Sequence, residues 1–228
     1  MPRVRKLVPS RSRAATKELR RQQLIESTID SIAKRGFAET TLANVADGAG
    51  LSRGIVNFHF RSKDALLVET LRYLTEDYRS TWMAAVETAG PDPADRLWAM
   101  VEADFDPAIC NRKKIAVWYA FWGEAKSRPT YLEVCDAADD AYSGVMRDLC
   151  RQVAEAGGYD EVEPQLVADG LNAMLNGMWL NLLLDPAGFD RAANKRTCLA
   201  FLASSFPLHF TRARSAPDGE RATVRRTA

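Results

Sequence analysis

The chain has 228 residues, of which 46% are apolar and 27% charged, and a net charge of +1. That is enough apolar material to bury the core of one large or two small domains, which excludes a largely disordered chain. No stretch reaches the roughly 18 consecutive apolar residues of a membrane span, and the basic opening MPRVRKLVPSRSR lacks the apolar segment of a secretory signal.

Residues 1–15 are basic, hold two prolines and show no apolar period, so a disordered arm is expected there. A helix follows over about 17–35, with Leu24, Ile25, Thr28, Ile29, Ile32 and Ala33 at the 3, 4 spacing of one buried stripe, and Gly36 ends it. Two short helices are predicted over about 41–48, capped by Thr40, and 52–59, capped by Ser52. A long fourth helix opens at Arg61-Ser62-Lys63-Asp64 and runs to about 88, where Gly90-Pro91-Asp92-Pro93 breaks it. Five more are expected near 94–104, 109–126, 130–156, 163–184 and 189–206. No segment alternates with period 2, so the fold class is all-α; the Arg-rich 211–228 is read as a disordered tail.

Charge is unevenly spread. Residues 1–63 hold 13 basic and 5 acidic side chains and the remainder 18 and 25, so only the front of the chain suits a polyanion. Cys110, Cys135, Cys150 and Cys198 form no CxxC pair, and His59 and His209 stand far apart. These read as free thiols in a reducing cytoplasm, without a zinc site. No Gly-rich phosphate loop, GxSxG or HExxH occurs, so no catalytic residue, metal or cofactor is expected and no enzyme is implied.

The informative stretch runs from Leu42 to Val56. Two short helices crossing over a tight turn need a small residue at the crossing, and Ala46 fits. They need a residue tolerant of left-handed geometry at the turn, and Gly50 fits. Val45, Ala49, Leu51 and Val56 close the wedge. The second helix then suits a major groove, with Arg53, Asn57 and His59 expected on its outward face and Gly54 leaving room for the duplex. Thr40, Thr41, Ser52 and Lys63 suit phosphate oxygens, as do Arg13, Lys17, Arg20 and Arg21. Taken singly, Asn57 and His59 read rather as solvent-exposed or partly packed polar side chains.

From Gln22 to Leu71, including Phe37-Ala38-Glu39-Thr40-Thr41 and the run from Leu51 to His59-Phe60-Arg61-Ser62-Lys63-Asp64-Ala65-Leu66, the sequence resembles the TetR family of bacterial repressors. Members often carry Tyr at the position of Asn57. The resemblance implies an all-helical homodimer on a double-stranded operator. Each subunit would have a three-helix DNA-binding domain, here 16–61, and a six-helix regulatory domain, here 62–210, that binds a small-molecule inducer and seals the dimer.

In the regulatory part, Trp118, Phe121 and Trp122 share a helical face at i, i+3 and i+4, Trp179 lies on a later helix, and Trp98 and Phe105 come from the fifth. Aromatic faces from several helices suit an organic cation; core filling is the alternative. Ala116 to Trp122, Arg128 to Leu132 and Gly170 to Leu180 resemble the choline-responsive members of the family. Those members generally have Asp where this chain has Asn176, so Asp104, Asp106 or Glu124 is expected to supply the negative end. Phe105, Trp118, Phe121, Trp122, Asn176 and Trp179 are the candidate ligand residues. Gly170 and Gly177, with Leu171, Met174, Met178, Leu199, Leu202 and Phe206, suggest a dimer seam; packing within the chain is the alternative.

The sequence therefore reads as a ligand-responsive repressor of the TetR type, its inducer choline or a related quaternary ammonium compound. The alternatives are a sensor of a different small molecule and a ligand-binding bundle without specific DNA recognition.

Overall fold

The computed structural model describes residues 10–211, with side chains from Ala14 onward. Among them are nine helices and no strand: α1 (Ser10–Arg35), α2 (Leu42–Gly48), α3 (Arg53–His59), α4 (Lys63–Thr88), α5 (Pro93–Ala103), α6 (Arg112–Ala125), α7 (Pro129–Gly157), α8 (Pro164–Leu184) and α9 (Arg191–Ser205). The expected arm, up to residue 9, and the tail from 212 lie outside the described residues.

The helix starts follow from local chemistry. Ser52, Ser62, Asp92, Asn111 and Asp190 each accept a backbone N–H of the first turn they precede, and proline opens α5, α7 and α8. Two expectations shift. First, α1 starts at Ser10, well ahead of residue 17. Ala14 and Ala15 are strong helix formers, and residues 14–20 are exposed, so intrinsic propensity rather than burial carries that stretch. Second, Thr41 caps α2, not Thr40. Thr41 Oγ1 accepts the Asn44 N–H at 3.1 Å, and Asn44 Oδ1 accepts the Thr41 N–H at 3.2 Å. Thr40 is buried, its hydroxyl donating to the Gly36 carbonyl at 2.9 Å.

α1 buries Leu24, Ile25, Thr28, Ile29 and Ile32 against α2, α4 and α6. At the α2–α3 turn Gly50 has φ +64°, in the left-handed region, and the Leu51 N–H returns to the Ala46 carbonyl at 2.9 Å. Ala46 is fully buried at the crossing. Gly48 sets a second close approach: a Cβ there would stand 2.5 Å from Ser27 Oγ, which is pinned by donating to the Val45 carbonyl at 2.8 Å.

α7 is the hub of the second half, packing on α4, α5, α6 and α8, while α9 covers α5 and α8. One apolar core runs from α1 to the end of α9. The boundary expected at 61/62 is thus where α4 begins, not a gap in packing: the first turns of α4 bury Leu66, Leu67, Thr70 and Leu71.

Candidate nucleic-acid interface and aromatic cavity

α3 buries Val56 and leaves Arg53, Gly54, Asn57 and Phe58 exposed at its surface, with Ser52 at its start. A Cβ on Gly54 would meet only Ser52 Oγ, at 3.7 Å, so nothing inside the chain requires glycine there. Thr41 is exposed at the start of α2. Thr40 does not join this surface, because its side chain is spent on the α1–α2 connection.

His59 is half-buried, its ring edge-on to Phe58 at 5.2 Å, and it lines the same open groove as Lys17, Arg20 and Phe58. Burial, then the charges of Lys17, Arg20 and Arg21, hold its pKa below the usual value, so it is neutral at pH 7. Lys63 is half-buried too. Its ammonium lies 3.4 and 3.5 Å from the carbonyls of Phe37 and Ala38 and 5.8 Å over the Phe37 ring.

Phe58 was not singled out from sequence. It is 72% exposed, with the Lys17 ammonium 5.8 Å over its ring and Arg20 alongside. The signal was its position one residue after Asn57, out of phase with the buried Val56 and Phe60. Lys17, Arg20, Phe58 and His59 thus line one basic, partly aromatic groove, and Arg53 and Asn57 are exposed on the same helix as Phe58. The side chain of Arg13 lies outside the described residues.

The second site lies between helices and opens to solvent on one side. Trp118 and Trp122 from α6, Tyr78 from α4, Tyr142 from α7 and Trp179 from α8 surround a small cavity of about 30 Å³. The Tyr78 ring stacks on Tyr142 at 5.5 Å and meets Trp179 edge-on at 5.5 Å; Trp118 lies 6.0 Å from Trp122. Asn172 and Asn176 complete the α8 wall, and Ala138 and Asp139 the α7 wall. The space holds little more than a water or two, so a larger guest must part the rings.

Three expected ligand residues, Trp118, Trp122 and Trp179, meet here, and Asn176 joins them. Two do not. Phe121 is fully buried against Phe37 of the α1–α2 connection, at 5.6 Å, and Tyr131 of α7, at 5.4 Å. It stands at the edge of the apolar stripe of α6, which faces α1 there and the cavity on its other side. Phe105 follows the last turn of α5, and its buried ring faces a groove between α4, α5 and Arg191 of α9. Trp98 is buried in the core and does not line the cavity.

The carboxylates also sort themselves. Asp106 caps a turn through the Ala108 N–H at 2.7 Å, and Glu124 pairs with Arg128 at 3.1 Å. Asp104 is buried behind the rings. Tyr78 donates to its Oδ1 at 2.5 Å, Tyr142 to its Oδ2, and the Trp179 indole N–H to its backbone carbonyl at 2.9 Å. The carboxylate in the cavity wall itself is Asp139, which sequence reasoning passed over in the run Asp136 to Asp140. It reaches solvent at the rim. Loss of hydration against the wall, then the like charges of Asp136 and Asp140, push its carboxyl up to about 6, leaving it ionised at neutral pH.

The expected seam turns over. Leu171, Met178, Leu199, Leu202 and Phe206 point into the chain's own core, and a Cβ on Gly170 would stand 3.1 Å from the Phe201 ring of α9. The outward face of α8 carries Leu166, Ala173, Gly177, Leu180 and Leu184 instead. With Gly170, these follow the alternating 4, 3 spacing of a helix–helix seam. A Cβ on Gly177 meets nothing within 4 Å.

Comparison with known proteins gives two domain matches. Residues 24–70 match bacterial regulatory proteins of the tetR family, and residues 93–207 match the C-terminal domain of BetI-type transcriptional repressors. The HTH-type transcriptional regulator BetI of Paraburkholderia xenovorans (strain LB400) is 34% identical over 182 residues, covering 79% of this chain and 90% of its own. That of Stenotrophomonas maltophilia (strain R551-3) is 32% identical over 184 residues, covering 81% and 91%. A solved regulator structure from Pseudomonas aeruginosa PAO1 superposes with a TM-score of 0.74 at 31% identity, covering 82% of this chain and 90% of that one. One from Saccharomonospora viridis, in complex with choline, has a TM-score of 0.72 at 22% identity, covering 81% and 96%, a likeness of fold.

Proposed function

The chain belongs to the TetR family of ligand-responsive, DNA-binding transcriptional regulators, with a BetI-type C-terminal domain, and from that premise we propose that its inducer is a quaternary ammonium compound, choline first among them. The observation that carries this is the convergence of five aromatic rings from four helices on one cavity that also contains Asp139. A quaternary ammonium has no N–H to donate, so aromatic faces are its best partners, each worth about 0.5–2 kcal/mol when water is excluded. Asp139 supplies the negative end that Asn176 lacks, in place of Asp104, Asp106 or Glu124.

On the DNA side, Arg53 and Asn57 read base edges, while Thr41, Ser52, Lys17 and Arg20 hold phosphates. Phe58 adds an apolar surface suited to a thymine methyl group. Lys63 keeps a third ammonium N–H beyond its two carbonyl partners, free to meet a phosphate. Two copies of the chain join through the outward faces of α8 and α9, which sets the spacing of the two reading helices. The setting is the bacterial cytoplasm, where operator DNA lies.

The test is calorimetry with choline and with its neutral isostere 3,3-dimethylbutanol. Preference for the cation, lost in Trp118→Ala and weakened in Asp139→Asn, is the expected result. Equal or tighter binding of the neutral compound would assign the cavity to an uncharged metabolite instead.

A further inference from the structure

We propose that Asp104 is a positioning residue of this cavity, which it holds from behind the rings: a cation bound against Tyr78 and Tyr142 drives the proton off the buried Asp104 carboxyl, so the site selects charge through a group the ligand never touches. This rests on the cation reading of the cavity given above.

The geometry is specific. Asp104 is 2% exposed, in the turn that ends α5. Both of its carboxyl oxygens accept tyrosine hydroxyls, Tyr78 on one and Tyr142 on the other, and its backbone carbonyl accepts the Trp179 indole. Three of the five rings of the cavity therefore hang from one residue. Two donors, one to each oxygen, suit the ionised carboxylate. A protonated carboxyl must donate from one oxygen, and the tyrosine it donates to then has to turn its own hydroxyl elsewhere.

Burial opposes ionisation, and no cation offsets it. The groups facing Asp104 are Tyr78 from α4, Tyr142 from α7, Cys110 from the turn beyond α5, and Cys198 from α9; α8 faces it with Trp179, which does not titrate. The nearby Arg191 guanidinium is bonded to the carbonyls of Phe105 and Cys110. Glu102 pairs with Lys195, and Lys114 with Asp77. Among the described residues Asp104 has no ion-pair partner. The result of burial against two hydrogen bonds is a carboxyl pushed up to about 7, divided between its two forms at neutral pH.

A cation on the far side of the two tyrosine rings is the missing counter-charge. Its field favours the carboxylate, the carboxyl O–H bond breaks, and the proton leaves to solvent. The carboxylate in turn polarises both phenol groups and makes their faces better partners for the cation. By linkage, a carboxyl whose pKa falls by one unit on binding raises cation affinity on the order of tenfold above that pKa.

The experiment is calorimetric titration of the full chain with choline at pH 7, in phosphate and in imidazole, buffers of different ionisation enthalpy. A difference in observed heat reports a released proton. The expected result is release that is largest near pH 7, retained in Asp139→Asn and, in Asp104→Asn, cut to the small share of Asp139, whose carboxyl lies lower at about 6; release unchanged in Asp104→Asn would assign it to Asp139 and overturn the proposal. Asp104→Asn should also bind choline on the order of tenfold more weakly at pH 8, and its preference for choline over 3,3-dimethylbutanol should fall by the same factor. Tyr142→Phe removes one of the bonds that hold the carboxylate, so its maximum of proton release should move to higher pH; this variant carries the test if Asp104→Asn does not fold. Choline binding with identical heats in both buffers overturns the proposal and leaves the cation reading standing. Failure of the wild-type chain to prefer choline over the isostere overturns the cation reading itself.

Discussion

Phe121 meets Phe37 edge to face, ring centroids 5.6 Å apart, on the same helix whose next residue, Trp122, lines the aromatic cavity. α6 is therefore shared between the cavity and the DNA-binding end of the molecule. The contact is fastened beside it: Asp64, in the first turn of α4, accepts Tyr131 Oη at 3.0 Å and the Arg128 guanidinium at 3.1 Å. Arg128 also lies over the rings of Phe37 and Tyr131. A guest that displaces the α6 wall of the cavity would also displace the packing under Phe37.

Tyr131→Phe should separate binding from response. It removes one hydroxyl bonded to a carboxylate and leaves no cavity, a loss of about 1–3 kcal/mol in stability at most. Cation affinity in the absence of DNA should be unchanged. The cation concentration that releases half of the bound operator should shift, read by fluorescence anisotropy of labelled DNA. An unshifted release curve would show that this fastening takes no part in transmission.

On the reading helix, Arg53→Ala should weaken operator binding by about 1–3 kcal/mol and relax selectivity at one base pair. Lys17→Ala should weaken all sequences alike and lower the slope of log affinity against log salt by roughly one. Binding to a panel of single-base operator variants at two salt concentrations distinguishes them. Uniform loss in both variants would remove Arg53 from the base readers.

Gly177→Leu should break the dimer without unfolding the chain. A Cβ at Gly177 has no neighbour within the protomer, so the substitution relieves a helix-interior glycine that costs about 1 kcal/mol relative to alanine. It adds a bulky group to the outward seam of α8, where overpacking costs typically about 1–3 kcal/mol. Sedimentation should show more monomer alongside an unchanged or raised melting temperature. Gly170→Leu is the contrast, since it drives into Phe201 inside the protomer and should lower the melting temperature instead. A dimer unaffected by Gly177→Leu would move the seam elsewhere.

The helices and their caps were legible because their signals are local: Ser52 and Ser62, the proline openings, and Gly50 at a turn that needs positive φ. What was not legible is which neighbour each face meets. α8 is apolar on both sides, so periodicity alone put Leu171 and Met178 on the seam when they belong to the core. Trp118, Phe121 and Trp122 form one stripe on α6, yet the stripe is wide enough for its edges to meet different partners. Thr40 and Thr41 are chemically alike, and only the fold shows that one faces the core and the other solvent. Asp139 was hidden because a carboxylate inside an acidic run reads as a solvated surface.

The buried carboxyl at Asp104 makes a prediction about folding as well as binding. Its pKa is pushed from the ordinary 3.8 to about 7 in the folded chain. Between those values the folded state holds a proton that the unfolded state gives up. Stability contributed by this group therefore falls as pH rises from about 4 to 7, by up to about 1.4 kcal/mol per pH unit, and is level above that range. Asp139 acts in the same direction, with its folded value lower at about 6. Urea unfolding of the wild type and of Asp104→Asn at pH 5, 6, 7 and 8 isolates the Asp104 share. The wild type should lose stability relative to the variant from pH 5 to 7 and then run parallel to it. Saturating choline should flatten the wild-type slope, because a bound cation favours the carboxylate that rising pH otherwise forces on an unpaired site. Parallel curves across the whole range would mean that the carboxyl is ionised throughout, and that its hydrogen bonds to Tyr78 and Tyr142 outweigh the loss of water.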